Sequence, residues 1–214
     1  MCICMLKIFF KIYFFLFLII LSSCGIKKSW DESGKYTINK DLASNYIWKK
    51  GKQYIAIVET IPVEGRKKKK TIHPVNISSQ TIINSFSKIE YVIKTKKGKV
   101  SDRKPVFSEG NIELLSKKIP EALKTANKNQ DVLFEVFQLR KAFWILPSTI
   151  DTTAGYLFLE AGRINIIFEK INEDYQGYDY DEPRVIVGDA SNGVYGGKTK
   201  VSKGWIVLTS KSWK

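Results

Sequence analysis

The chain has 214 residues, with 35 lysines and arginines against 21 acidic side chains and a formal net charge of +14 at pH 7. All three cysteines lie at or before position 24, which excludes a disulfide, a thiol nucleophile and a cysteine metal site from the rest of the sequence. His73 is the only histidine, which excludes histidine-based metal clusters and weakens the case for a Ser-His-Asp triad. We therefore expect a protein without a metal or other cofactor.

The first 23 residues have the parts of a secretory signal peptide. Lys7 and Lys11 supply positive charge, and the apolar run at residues 12–21 contains no charged side chain. As a helix this run would span roughly 15 Å at about 1.5 Å per residue, which is about half of a bilayer's hydrocarbon core. A permanent transmembrane span is therefore disfavoured.

The tetrapeptide LSSC at positions 21–24 follows the apolar run directly. A branched apolar residue, two small residues and a cysteine resemble the lipobox of bacterial lipoproteins. The resemblance implies cleavage before Cys24, a diacylglyceryl thioether on its sulfur and usually an acyl chain on the freed amine. The alternative is an ordinary secretory peptide that ends in the same residues. Gly25 stands where aspartate often implies inner-membrane retention, so we expect the outer membrane in an organism that has one.

The mature chain that begins at Cys24 keeps a strong positive charge. The signal peptide contains two lysines and no acidic residue, so its removal lowers the net charge from +14 to +12. This charge suits an anionic neighbour such as lipid headgroups, lipopolysaccharide or another envelope polymer. Nucleic acid fits on charge alone, but an exported lipoprotein rarely meets it, so we expect no nucleic-acid partner. The competing interpretation is that the lysines only keep the domain soluble.

The anchor is followed by a tether and by the first strand of the body. Residues 24–51 mix polar residues with isolated aromatic residues, which predicts a tether, and a single domain is expected at 52–214. Residues 53–63 alternate in the manner of a strand. Its two predicted faces are Ile55, Ile57 and Ile61 on one side, and Tyr54, Ala56 and Val58 on the other.

The densest positive charge lies in a turn region at residues 64–74. Each cation near an anionic membrane surface contributes about 1 kcal/mol of binding, so this run is the candidate contact with a headgroup or polymer. The competing interpretation is a flexible hairpin tip. The five consecutive cations are Arg66, Lys67, Lys68, Lys69 and Lys70.

Two helices are predicted. The first is short, and Ser78 or Ser79 can cap it. The second, near residues 109–127, begins after Ser108 and repeats apolar residues at three- and four-residue steps, which predicts one buried stripe. Pro120 lies inside this second helix, and we expect it to kink the helix or split it in two.

The remaining pattern predicts short strands that are neighbours in sequence. Residues 89–95 form one, and a lysine-rich turn at 96–99 closes it. The clearest hairpin is at 153–171, around the dipeptide Ala161-Gly162, where we expect a positive φ at the glycine. Additional candidate strands are residues 131–139, 143–146, 184–187 and 205–209.

Two motifs near the C-terminus are candidate ligand sites. NGVYGGKT at 192–199 approaches a phosphate-binding loop, but Asn192 replaces the first glycine and a turn and strand are predicted where that loop needs a helix. A glycine-rich connection between strands is the favoured interpretation. The acidic, tyrosine-rich loop at 172–183 places Asp179 and Asp181 at a spacing used for calcium, but without an EF-hand frame a solvated loop is favoured.

The order of features along the body resembles proteobacterial lipoproteins of no assigned function. The resemblance rests on His-Pro-Val at 73–75, the segment around Phe107, the long helix and Gly-Arg-Ile-Asn at 162–165. It implies no functional residue. His73 itself lies in an exposed-looking segment, where a structural or idle role is favoured over catalysis.

These features predict an α+β fold, with a mostly antiparallel sheet and about two helices packed on it. The leading functional hypothesis is a membrane-anchored, non-enzymatic envelope lipoprotein whose domain binds a protein or an anionic polymer. The alternative is a glycan- or lipopolysaccharide-binding module, which a flat aromatic patch ringed by lysines would favour. A hydrolase is a third hypothesis, which a deep pocket with convergent carboxylates would favour.

Overall fold

Antiparallel strands account for most of the described chain. A computed structural model describes residues 45–60, 71–140, 149–175, 184–196 and 204–214. All of these residues lie in one compact unit and form two α-helices and ten β-strands. The strands are β1 (Asn45–Lys50), β2 (Gln53–Glu59), β3 (Glu90–Ile93), β4 (Lys104–Pro105), β5 (Gln130–Arg140), β6 (Thr149–Glu160), β7 (Arg163–Asp174), β8 (Arg184–Val187), β9 (Val194–Gly196) and β10 (Trp205–Leu208), and the helices are α1 (Ser79–Phe86) and α2 (Glu109–Thr125).

Several predicted features lie outside the described residues. They are the signal peptide at 1–23, the lipidation site Cys24, the basic run Arg66, Lys67, Lys68, Lys69 and Lys70, the candidate strand at 143–146, and the pair Asp179 and Asp181.

The strands form two antiparallel sheets. The larger has seven strands in the order β1-β2-β5-β6-β7-β10-β9, and the smaller has three in the order β4-β3-β8. Both helices contribute buried residues to the hydrophobic core on one face of the larger sheet. The predicted α+β class, with a mostly antiparallel sheet and two packed helices, is therefore confirmed.

The helix starts agree with the predicted caps. The Ser78 hydroxyl accepts the backbone N–H of Thr81 at 3.1 Å, and the Ser108 hydroxyl accepts that of Asn111 at 3.3 Å. Both bonds satisfy a donor that the first helical turn leaves without an intrahelical partner. Of the predicted kink or split at Pro120, the split is wrong, because α2 continues through this residue. The buried stripe continues on both sides of the proline, with Leu115 before it and Leu123 after it, and burial of this stripe offsets the lost backbone hydrogen bond.

The central strands of the larger sheet are buried on both faces. Towards the helices, Phe107 stacks on Phe86 with ring centroids 5.1 Å apart and also contacts Phe134 and Phe168. On the second face, one row of directly paired residues crosses five strands. That row is Ala56, Leu133, Tyr156, Ile167 and Trp205.

The two faces predicted for β2 are also confirmed for the described residues, whereas Ile61 lies outside them. Ile55 and Ile57 belong to the helix-side core, while Tyr54, Ala56 and Val58 pack with the second face.

The β6–β7 hairpin turns at the predicted dipeptide. Ala161 and Gly162 have φ of 51° and 71°, the paired positive values of a type I′ turn, whose twist matches that of the strands. Both strands are longer than predicted, and residues 172–174, assigned to the acidic loop, belong to β7. Gly155 in β6 allows β7 to approach, because a Cβ there would lie 2.5 Å from the Ile167 carbonyl oxygen.

The predicted tether ends too late. Residues 45–50 form β1, which pairs with β2 as an edge strand of the larger sheet. Only Ile47 and Trp48 are half-buried in this strand, and the other four residues are exposed. An edge strand with so little burial has a weak apolar alternation, which explains why the sequence pattern resembled a tether.

Leu115→Ala tests the helix-side core. Leu115 is fully buried, so its truncation should lower the free energy of unfolding by about 2–4 kcal/mol. The control is Leu139→Ala, at a residue that is 61% exposed, where the change should stay within about 0.5 kcal/mol. Urea denaturation measures both, and similar losses would contradict the packing of α2 on the sheet.

Candidate functional site

A lysine-rich turn projects from the smaller sheet between β3 and β4. We call residues 94–104 the basic hairpin. Lys94 pairs with Val100 across its stem. The backbone N–H of Thr95 donates to the Lys99 carbonyl at 2.9 Å, and the Lys99 N–H donates to the Thr95 hydroxyl at 3.0 Å. Gly98 adopts the positive φ of 79° that this turn requires, so the lysines stand on an ordered backbone.

The basic hairpin concentrates positive charge at the surface. It contains six basic residues, all exposed, and one acidic residue, Asp102. Arg103 contacts Glu90 of β3 at 3.5 Å, but this exposed pair contributes little to stability and leaves most of the positive field in place. The six cations are Lys94, Lys96, Lys97, Lys99, Arg103 and Lys104.

The base of the basic hairpin lies beside the end of β5 and β6. Lys104 and Arg184 both act electrostatically on the carboxylate of Asp151 in β6, and an Arg140 guanidinium nitrogen lies 3.1 Å from one Asp151 oxygen. Burial raises the pKa of the Asp151 carboxyl above its ordinary value, while the three cations act in the opposite direction and Asp174 adds to the rise.

The β1–β2 turn brings further lysines to the same end of the sheet. Gln53 accepts the backbone N–H of Phe137 in β5 at 2.9 Å, which fixes the turn beside that strand. The Lys52 ammonium lies 4.6 Å from the centroid of the Tyr175 ring, a cation–π distance. Tyr175 in turn packs edge-to-face on Phe137 at 5.1 Å.

We call this region the basic end. It is formed by Lys49 and Lys50 at the end of β1, Lys52 of the β1–β2 turn, the basic hairpin, Arg140 and Arg184. Its parts come from four places in the chain, which the pairing of the strands within each sheet and the cations that face Asp151 bring together. The sequence predicted a basic contact at Arg66–Lys70, which lies outside the described residues, and treated the lysines at 96–99 only as the end of a strand.

Buried tyrosine–glutamate pairs form a second polar cluster, on the second face of the larger sheet. The Tyr54 hydroxyl hydrogen-bonds with Glu135 on the neighbouring strand, and the Tyr156 hydroxyl hydrogen-bonds with Glu169. Burial raises the pKa of both tyrosines, and the facing carboxylates raise it further, so both hydroxyls stay neutral donors. Ala154 lies between the two pairs in β6 and leaves room for the longer side chains.

Convergent carboxylates were the feature expected of a hydrolase. Here Glu135 is 2% exposed, and each glutamate accepts a tyrosine hydroxyl within the sheet. This arrangement links neighbouring strands and satisfies buried polar groups. The available signal in the sequence was a glutamate between apolar residues in the strand DVLFEVFQL, but its tyrosine partner is distant in sequence.

His73 is buried, in contrast to the exposed setting predicted for it. Its Nε2 accepts the backbone N–H of Leu159 at 3.5 Å, and the neighbouring Ile72 N–H donates to the Leu159 carbonyl at 3.2 Å. The imidazole therefore takes part in docking residues 71–75 against β6. Within the described ranges, no cluster of three histidine, cysteine or acidic side chains could hold a metal ion.

The described part of the NGVYGGKT motif is a connection into a strand. Gly193 follows a short 3-10 turn with a φ of 77°, and β9 begins at the next residue. The backbone N–H groups of a helix start, which a phosphate loop needs, do not follow in this part of the motif. The predicted glycine-rich connection is confirmed there.

Phenylalanine substitution tests the tyrosine–glutamate pairs. Unfolded tyrosines ionise near pH 10, but the folded pKa values of Tyr54 and Tyr156 are raised, so the unfolded state alone loses protons above that pH. The stabilising effect of these raised values is present below pH 10 and is lost as the pH rises further. The double variant Tyr54→Phe/Tyr156→Phe should therefore lose less unfolding free energy than the parent between about pH 9 and pH 11.

At neutral pH the same variant should be less stable by about 1–3 kcal/mol per pair, because a buried carboxylate loses a donor. Tyr195→Phe, at a residue that is 46% exposed, is the matched control. Urea titrations across this pH range measure all three proteins. An alkaline loss that is identical in the parent and the double variant would contradict the assigned pairs.

Neither of the described helices is both long and apolar enough to cross a membrane. No protein-family model, curated protein or solved structure matches the chain.

Proposed function

We propose that the chain is a lipid-anchored envelope protein, attached through Cys24, whose domain contacts an anionic partner and catalyses no reaction. The basic hairpin is the observation that supports this most strongly, because an ordered turn presents six cations within residues 94–104. The expected location is the outer membrane in an organism that has one. Its candidate partners are lipid headgroups, lipopolysaccharide, another anionic envelope polymer or an envelope protein with an acidic surface.

Anchoring makes a modest electrostatic contact sufficient. Near an anionic membrane surface each lysine contributes about 1 kcal/mol, and the interaction decays over about 8 Å at physiological salt. A lipidated Cys24 keeps the domain close to a membrane, so the lysines need not provide the whole affinity. The hydrogen bonds of Thr95 reduce the ordering cost of the turn when it binds.

A glycan-binding module is the second candidate, supported by the aromatic pair Phe137 and Tyr175 at the basic end. A sugar would stack on an open ring face, but the Lys52 ammonium already lies over the Tyr175 ring. A contact that depends on charge therefore fits this end better than one that depends on stacking.

Neutralising the basic hairpin tests the proposal. The body beginning at Ser29 should bind vesicles that contain phosphatidylglycerol weakly, and binding should fall as salt rises. Changing Lys94, Lys96, Lys97 and Lys99 to glutamine should weaken binding at least tenfold, since each lysine contributes about 1 kcal/mol. Glutamine at Lys67–Lys70 should weaken it further. Vesicle co-sedimentation over a salt series measures each affinity.

The matched control removes the same charge elsewhere. It changes Lys117, Lys118, Lys124 and Lys128, on and just after α2, to glutamine. This variant should keep most of the vesicle binding, because its lysines do not belong to the basic end. Equal losses in the two variants would show that net charge alone drives binding, and the basic hairpin would then lose its assigned role.

A further inference from the structure

Two large apolar side chains are exposed together at the basic end. Leu139 of β5 and Ile150 of β6 are directly opposite each other in the strand register. They are 61% and 40% exposed, whereas the apolar residues from Val132 to Val136 in β5 and from Ala154 to Leu159 in β6 are buried. Only the pair Arg140 and Thr149 lies beyond them in the described ladder. An exposed apolar pair at the end of two strands does not contribute to the core, so it suits an external contact.

Half-buried aromatic residues adjoin the exposed pair Leu139 and Ile150. Phe137 lies two residues before Leu139 and so shares its face of the sheet. Tyr175 packs on Phe137, and its backbone N–H donates to the Ile150 carbonyl at 2.8 Å. The strand ends and the aromatic pair therefore form one surface on a fixed backbone.

Cations lie beside this apolar pair on both faces of the sheet. Lys52 lies over Tyr175, on the side of Phe137, Leu139 and Ile150. Arg140 directly follows Leu139, so its side chain leaves the opposite face of β5, where its Nε donates to the Thr149 hydroxyl at 3.1 Å and its Nη2 contacts Asp151. Lys104 and Arg184 act on the same Asp151 carboxylate from the smaller sheet. An apolar pair at the strand ends, with cations beside it on both faces of the sheet, is complementary to the interface of an anionic bilayer.

We propose that Leu139 and Ile150 enter the headgroup region of an anionic bilayer, while the cations of the basic end contact the surrounding lipid phosphates. This inference rests on the proposed function, because the lipid on Cys24 brings the bilayer within reach. It also specifies that function, since it identifies the anionic partner as the membrane itself. The contact fixes the orientation of the domain on the membrane, which a tethered lipid anchor does not do.

Spin labels on the mature, lipidated chain test the insertion. The sulfur of Cys24 carries lipid and the mature chain has no other cysteine, so Leu139→Cys and Ile150→Cys each provide one labelling site. The control is Tyr195→Cys on β9, at a residue that is 46% exposed. Tyr195 lies in the same cross-strand row as Phe158, which is near the β6–β7 turn, so the control label is remote from residues 139 and 150. The proteins are reconstituted in vesicles of phosphatidylethanolamine and phosphatidylglycerol. Collisions with oxygen and with a water-soluble nickel chelate are then compared.

Labels at 139 and 150 should show a severalfold higher oxygen-to-nickel ratio than the label at 195. The difference should shrink in vesicles of phosphatidylcholine alone, which lack the anionic headgroups. Equal ratios at the three sites in anionic vesicles would overturn the proposal. Shielding at 139 that requires an added envelope protein would also overturn it, because the occupant would then be that protein.

The anchor and the basic contact are tested separately. Cys24→Ser should abolish fatty-acid labelling in cells. The glutamine variants keep Leu139 and Ile150 unchanged, so their loss of vesicle affinity relative to the parent reports on the lysines alone. If fatty-acid labelling of Cys24 and the dependence of vesicle binding on the lysines persist while the spin label at 139 remains exposed to water, the insertion is wrong and the proposed function survives. If fatty-acid labelling of Cys24 is absent in the parent, the proposed anchor itself fails.

Discussion

The structure depends on the burial of both faces of the central strands of its larger sheet. Side chains in a strand alternate between faces, so a shift of one residue in β5 would move Phe134 to the second face and Glu135 into the helix-side core. This cost locks the register between β2, β5, β6 and β7. The locked register also determines which residues meet at the strand ends, where Lys52, Phe137 and Tyr175 are brought together.

Burial on both faces also determines where charge can lie. Inside the sheet, the buried carboxylate of Glu135 and the half-buried carboxylate of Glu169 are each hydrogen-bonded to a neutral tyrosine, because a charge removed from water without partners is costly. Asp151 is the buried carboxylate near the surface, and three cations face it. Most lysines and arginines remain at strand ends and turns, and the β1–β2 turn and the basic hairpin bring many of them to one end. The same end exposes the apolar pair at 139 and 150, so charge and apolar surface adjoin there.

Local signals in the sequence were sufficient for much of the fold. Serine caps, apolar periodicity and the Ala161-Gly162 turn each depend on neighbouring residues, and the structure agrees with them. The edge strand at 45–50 and the burial of His73 were missed, because both depend on contacts with residues distant in sequence. The basic end was missed for the same reason, since its lysines and aromatic residues are distant in sequence and become neighbours only in the folded chain. Cys24 and the basic run at 66–70 remain predictions.

The most direct test of this account is to map which surface of the anchored domain faces the membrane. The lipidated protein is placed in anionic nanodiscs that contain a gadolinium-chelating lipid. Gadolinium at the membrane surface broadens the NMR signals of nearby amides, so the broadening of each amide signal reports its distance from the bilayer. We predict the strongest broadening at residues 50–52, 96–99 and 138–140, and little at 160–163 in the β6–β7 turn or at the end of α2. Uniform broadening, or a maximum at 160–163, would contradict the claim that the basic end faces the bilayer.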